Sequence, residues 1–280
     1  MSVLGDFYRL EAGELKPVVE SSSEVQLKVA DSWLIDEGRV RSLNAHFERF
    51  GSWVANQDPE QSKYLPGFYA EIKRLLPRVG RWFPRMEYHA EQPSNLRLYL
   101  RLRQAPAKVE SVSLWSYPEP DPRVSPSIKG PDLSLCQQLR RHANMNGADE
   151  AVITNSKGFV AEGALSALVW WRGDLLCSSD DQTNWLPSIT RDEVFSIASQ
   201  MGFEVRLENV KPSELAKLPI WALSSLNGIM PVRSWVGVAD ELPESVNLEA
   251  FQRRLKLLGT QLDYSYPSGF SHPFRGMIFM

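Results

Sequence analysis

Lys129 stands among Pro, Ser, Ile and Gly, just ahead of a Pro-Asp pair that looks like a helix start. An amine in a partly apolar setting binds its proton less tightly, and a neutral amine can attack a carbonyl carbon to form an imine. The same residue also reads as an ordinary connector lysine. Glu162, in GFVAEGALSALVWW, is a carboxylate between strand-like apolar residues, followed by Gly163 and Ala164, which let a ligand approach the backbone. A carboxylate there needs a partner, because an unpaired buried charge is costly, although a hairpin turn would account for it too. In LPSITRDEV, Ser188 or Thr190 opens a helix whose first amides are free, which makes an anion site or simply a capped helix end.

The elements that must hold these groups follow from periodicity. Residues 24–30 (EVQLKVA) alternate as a half-buried strand, 43–54 and 62–79 carry helical spacing, and 86–90, 95–103 and 108–115 are extended runs. The segment 116–127 (SYPEPDPRVSPS) has prolines at 118, 120, 122 and 126, which fix φ and remove amide donors, so it reads as an extended connector. Beyond it a helix is predicted over 131–146, with Pro131 in the first turn and Gly147 at the stop. Strands are predicted over 151–154, 159–160, 164–171, 174–177, 204–207 and 220–223, and helices over 190–201 and 248–262. The expected fold class is α/β (α+β) with two lobes: a small N-terminal α+β lobe over 1–118, a connector over 119–128, and a larger, β-rich lobe over 129–280.

A chain of 280 residues is long enough for a sizeable core and for two lobes. Its formal net charge of −3 leaves no basic footprint for a phosphate backbone, so nucleic acid is not an expected partner. The N-terminal residues are acidic and lack the apolar segment of a signal peptide, and no stretch has the apolar length of a membrane span, so a cytoplasmic protein is expected. Cys136 and Cys177 have neither metal nor redox spacing and read as small buried hydrophobes, with no disulfide and no metal site expected.

Taken together, these residues resemble the class IV (fold type IV) aminotransferases, the pyridoxal-phosphate enzymes that include branched-chain and D-amino acid aminotransferases and 4-amino-4-deoxychorismate lyase. The likeness runs from about Val29 to Trp235. HFERF, from His46 to Phe50, is similar to the family's His-x-x-Arg-Leu, and Asp149 of GADEA follows Lys129 by 20 residues, as in the family pattern. Glu162 of GFVAEG follows Lys129 by 33 residues, again the family spacing, while LPSITR is similar to Leu-Pro-Gly-Ile-Thr-Arg and SSLNGIMPV to the last phosphate-site loop.

The resemblance implies that Lys129 forms the Schiff base with pyridoxal 5'-phosphate and then moves a proton between Cα and C4'. It also implies that Glu162 pairs with the ring nitrogen, and that Arg49, the amides of Ile189 and Thr190, the Thr190 hydroxyl and Ser225 share the phosphate. Period-2 geometry puts Arg97, Tyr99, Arg101 and Arg103 on one strand face, where family relatives hold a substrate carboxylate; a solvated face fits the same pattern. Ser224 joins them as a substrate-site candidate through the last motif. Ser188 replaces the family's usual glycine, and Ser134 stands where branched-chain enzymes carry a tyrosine. Trp170 and Trp171 read as a sheet-packing pair. The implied activity is amino transfer between an amino acid and a 2-oxo acid in a homodimer, with a lyase of the aminodeoxychorismate type as the alternative and a non-catalytic binding protein as a remote one.

Overall fold

The computed structural model describes residues 6–19, 27–244 and 247–262. Strands Phe7–Glu11, Glu14–Pro17, Val29–Ser32, Arg85–Tyr88 and Leu98–Arg101 form an antiparallel five-stranded sheet. Its register sets the two faces apart. Val29, Met86, Tyr88, Leu98 and Leu100 turn toward one side and join an apolar core, while Glu87 pairs in register with Ala30 and Tyr99 on the other. Asp31, opposite Met86, shares the apolar side and is fully buried there.

Two helices cover that side. α1 (Leu43–Gln57) buries His46, Phe47, Phe50, Gly51 and Val54, a helical stripe that brings His46 over the sheet. α2 (Leu65–Leu75) buries Leu65, Phe68 and Ile72 against the same core, with a proline tolerated in its first turn. A four-stranded ribbon of very short strands joins Ile35–Asp36, Arg39–Val40 and Arg81–Trp82 to Thr260–Gln261 from the far end of the chain.

The second sheet has eight strands in the order Val160–Gly163, Glu150–Thr154, Val112–Ser116, Gly228–Val236, Ile220–Ser224, Ala167–Arg172, Leu175–Ser179 and Glu204–Glu208. Three neighbouring pairs in it are parallel and the rest antiparallel. α3 (Leu133–Met145) packs Cys136, Leu139 and Ala143 against Ala151, Ile153 and Ala164. α4 (Ile189–Gln200) and α5 (Leu248–Leu257) cover Val169, Trp171, Trp221 and Leu223. Trp171 meets Trp221, Phe203 and Phe251 edge-to-face at 5.1 to 5.5 Å, and Trp170 donates to Glu208 at 2.6 Å, so the tryptophan pair is packing. Both cysteines are buried and free. Among the described residues no helix is long and apolar enough to cross a membrane.

The mixed α/β class is as expected, and several boundaries move for physical reasons. Val112–Ser116 precedes the proline connector yet pairs with Glu150–Thr154 and Gly228–Val236, so the large sheet begins before residue 118. Thr260–Gln261 returns to the N-terminal ribbon, and the last helix ends at Leu257. Strand Gly228–Val236, in a stretch read from sequence as a phosphate-site loop, holds Trp235 wholly buried. The helix read over 62–79 splits at Tyr64 into a 3-10 turn (Pro59–Lys63) and α2. Residues 164–166, read as strand, form the turn closing Gly163 onto Ser166. Residues 24–26 of the strand read at 24–30 lie outside the described residues; Val29 and Ala30 are in strand as read.

Candidate active site

Gly130 lies against the first sheet so closely that a Cβ there would meet Val29 Cα at 2.9 Å, and its φ of +143° is one that L side chains rarely adopt. The Ala30 amide donates to the Lys129 carbonyl at 2.7 Å. Lys129 is thereby stitched to strand Val29–Ser32 as the chain passes into α3. Its amine makes no hydrogen bond or ion pair among the described residues. Burial pulls its pKa down, and the nearby Arg49 cation pulls the same way, so the neutral, nucleophilic form is more accessible than in a free lysine.

Arg49 comes from α1 and is held from two directions. Its Nε and Nη2 donate to Asp31 at 2.8 Å each, and Nη1 donates to the Pro187 carbonyl at 2.5 Å. His46 shares Asp31 at 2.8 Å. Arg49 and His46 together hold the Asp31 carboxyl well below the usual range against a large burial penalty, and burial keeps His46 below its ordinary pKa. The arginine thus reaches from the first sheet to the loop that leads into α4.

At that loop Ser188 caps α4, its hydroxyl accepting from the Arg191 amide at 3.3 Å, so a serine does here what the family's glycine cannot. The amides of Ile189 and Thr190 find no acceptor among the described residues. A small, partly open pocket lies beside Thr190, lined by Trp33, Arg41, His46, Thr190, Glu193 and Ser225. Glu193 is neutralised within it by an ion pair with Arg41 and a 2.7 Å bond from the Ser42 hydroxyl. The Ser225 carbonyl accepts from Arg41 at 3.5 Å, and Ser224 Oγ accepts from the Asn227 amide at 3.1 Å, shaping the loop. Free helix-start amides and a buried hydroxyl at Thr190 suit an anion, with the Glu193 charge offset by Arg41.

Glu162 is the penultimate residue of strand Val160–Gly163 and is buried. Its Oε1 accepts from Arg123 Nη1 at 2.5 Å and from the Leu186 amide at 2.8 Å, and Oε2 makes no hydrogen bond among the described residues. Burial raises its pKa while Arg123 opposes the rise. Lys129 lies in the electrostatic field of the Arg49–Asp31 pair on one hand and of Glu162 on the other.

The remaining candidates separate. Arg97 is not in a strand: it follows the 3-10 turn Ser94–Leu96 and donates to Asp58 at 2.6 Å and to the Gln92 carbonyl at 2.7 Å. Helical φ and ψ at Arg97 break the alternation read from NLRLYLRLR, so it leaves the face of Tyr99 and Arg101. Arg101 lies 3.0 Å from buried Glu87, which also holds Arg85 and His89, and Arg103 donates to the Phe83 carbonyl at 3.2 Å. Tyr99 stacks on both Phe7 and His89. Asp149 binds the Ser113 amide and hydroxyl and Arg233, tying strands of the large sheet. Sequence reading passed over Asp31, Arg123 and the Arg41–Glu193 pair. An aspartate inside the apolar run VADSW and an arginine among prolines were the available signals.

The model of the family described as amino-transferase class IV matches residues 28–235. The branched-chain-amino-acid aminotransferase of Escherichia coli (strain K12) is 27% identical over 129 residues, 45% of this chain and 41% of that protein, so the match spans less than half the length of this curated relative. Among solved structures, a hypothetical aminotransferase from Mycobacterium tuberculosis in its alpha-ketoglutarate and PMP bound form superposes with a TM-score of 0.77 at 20% identity, covering 90% of this chain and 98% of that one. An aminotransferase from Brucella abortus bound to the co-factor PLP gives 0.74 at 16% identity, with coverages of 90% and 98%.

Proposed function

The chain belongs to the class IV aminotransferases, and from that premise we propose that it binds pyridoxal 5'-phosphate and moves an amino group between an amino acid and a 2-oxo acid. The observation that carries this reading is Lys129: a half-buried amine with no partner among the described residues, its pKa lowered, in the field of both Arg49 and Glu162. The donor set fits the cofactor. Arg49, the free amides of Ile189 and Thr190, the Thr190 hydroxyl and Ser225 would hold the phosphate, and the open Oε2 of Glu162 would face the ring nitrogen.

When bound, the cofactor supplies an aldehyde for covalent attachment and a ring that withdraws electrons from the substrate Cα. Lys129 in its neutral form provides the attaching amine and afterwards a base at Nζ for the Cα proton. Glu162 holds a proton at the ring nitrogen, and Arg49, fixed by Asp31, keeps the phosphate end from moving. Tyr99 and Arg101 are the proposed substrate-carboxylate face, with Arg101 also paired to Glu87, and Arg97, which lies off the strand on the 3-10 turn, is left out of it. The proposal includes a homodimer, on the family resemblance alone, and a cytoplasmic location, on the sequence reading of the N-terminal residues.

Incubation with pyridoxal 5'-phosphate followed by borohydride and peptide mapping tests the reading, with the label expected on the Lys129 peptide. Labelling at Lys157 or another lysine would overturn it. Stoichiometric release of a 2-oxo acid from an amino donor, without an acceptor, separates amino transfer from a lyase that expels a leaving group.

A further inference from the structure

We propose that Arg123, braced by Asp121, is a positioning residue that fixes Glu162 with Oε2 turned to the cofactor and sets how readily that carboxylate takes a proton. The proposal rests on Glu162 being the partner of the ring nitrogen.

The geometry has three parts. Arg123 is held by Asp121 through a fork, Nε to Oδ1 and Nη2 to Oδ2, each 2.9 Å, so the guanidinium has one stable orientation. Its Nη1 then meets Glu162 Oε1 at 2.5 Å, and Nη2 also reaches the Asn184 carbonyl at 3.3 Å. The Leu186 amide binds the same Oε1 at 2.8 Å. Both donors fall on one oxygen, which pins the carboxylate plane and leaves only Oε2 for another partner. The side chain of Arg123 is 4% exposed and that of Glu162 7%, so water does little to weaken the pair.

The titratable and charged groups around Glu162 come from four elements: Arg123 and Asp121 in the proline connector, Lys129 in the loop before α3, the neutral thiol of Cys136 on α3 and Arg191 on α4. Among the first-named pair the effects oppose. Arg123 favours the ionised carboxylate and Asp121 disfavours it, while burial pushes the group toward the neutral acid. Loss of the arginine therefore raises the pH at which Glu162 becomes charged, and loss of the aspartate lowers it.

The test uses the full chain loaded with pyridoxal 5'-phosphate, as wild type, Arg123→Gln, Arg123→Lys and Asp121→Asn. Measured are kcat and KM for an amino donor against pH, the visible absorbance of the bound cofactor against pH without substrate, and the affinity for pyridoxine 5'-phosphate, which cannot attach to lysine. Arg123→Gln is expected to lower kcat at neutral pH roughly tenfold or more, with KM within a few-fold. The acid limb of kcat and the matching absorbance change should move up by about one pH unit, Asp121→Asn should move them down, and Arg123→Lys should restore part of the wild-type position. If Arg123→Gln lowers only thermal stability or cofactor affinity and leaves the acid limb in place, Arg123 is structural and the proposal falls alone. If wild type takes up neither phosphate ester, the reading of the whole site falls with it. Should Arg123→Gln fail to fold, the opposite shifts required of Asp121→Asn and Arg123→Lys still decide, and movement of both in one direction overturns the proposal.

Discussion

Asp31 and Arg49 meet as a two-point pair on the covered face of the first sheet, Nε to Oδ2 and Nη2 to Oδ1, each at 2.8 Å. With Nη1 on the Pro187 carbonyl, the arginine spends donors on a strand and on the loop before α4, and keeps N–H groups for an anion between them. The pair therefore links the first sheet to the loop that leads into α4.

Removing either partner should have a different signature. Asp31→Asn leaves Arg49 without its buried counter-charge, and is expected to cost about 3–5 kcal/mol of stability, read by denaturant unfolding. Because the folded pKa of Asp31 is depressed, its contribution is present above the ordinary carboxylate range and lost as pH falls through and below it, so the unfolding curves of wild type and of the Asp31→Asn variant should converge in acid. Arg49→Ala should instead weaken cofactor retention, by roughly 1.5–3 kcal/mol for a charge-assisted contact, while turnover at saturating cofactor changes less. Unchanged cofactor affinity in the alanine variant would make Arg49 purely structural.

Glu150 offers a second pH prediction. It is buried beneath the Gly163–Ser166 turn, accepts from the Ala151 amide at 3.0 Å and from Ser166 Oγ at 3.1 Å, and burial pushes its pKa up to about 7. A raised carboxylate pKa works against folding: the unfolded chain loses its proton first, so stability falls as pH rises from about 4.5 to about 7 and stays lowered above that. Glu150→Gln keeps the shape and removes the charge. Its melting temperature should exceed wild type at pH 8 and match it near pH 5; equal melting temperatures at pH 8 would show that the carboxylate is accommodated without penalty.

Lys129, Glu162, Arg49 and the start of α4 could be picked out of the sequence because each lies in a contiguous string at a readable spacing. Periodicity also located all five helices found among the described residues, since each buries a stripe at helical spacing. What stayed hidden depends on pairing across the chain. Asp31 owes its partners to α1 folding over the sheet, Arg123 meets Glu162 across 39 residues, and Arg41 meets Glu193 across 152. Strand Gly228–Val236 lies partly in SSLNGIMPV, which the resemblance reads as a phosphate-site loop, while Val112–Ser116 fills the place beside it. At Arg97 the turn at Pro93 overrode alternation.

Gly130 tests how tightly Lys129 is placed. An alanine would press its Cβ on backbone atoms of Val29 and Ala30 at 2.9 to 3.1 Å, which no side-chain rotation relieves, and would occupy a strained φ. Gly130→Ala should lower stability by about 1–3 kcal/mol and slow borohydride-trappable attachment of the cofactor, whereas pyridoxine 5'-phosphate should bind with little change. Normal attachment together with normal stability would mean that the strand does not position Lys129.

Glu162→Gln separates the active-site reading from the hairpin reading most sharply. Glutamine can keep its oxygen on Arg123 and the Leu186 amide, so the local fold survives, while its NH₂ takes the place of Oε2. A carboxylate at that place stabilises a proton on the ring nitrogen; an amide donates to the nitrogen and leaves it neutral. The ring then withdraws electrons poorly, and a loss of about 3 kcal/mol or more in transition-state stabilisation corresponds to a rate deficit above roughly a hundredfold. Cofactor binding should largely persist, because the phosphate contacts and Lys129 are untouched. The charge change has one further consequence: Arg123 would keep Asp121 as its only anionic partner, so thermal stability should fall only modestly. Turnover within a few-fold of wild type, with a normal cofactor spectrum on the same preparation, would remove Glu162 from the site and undo the spacing by which Lys129 was first recognised.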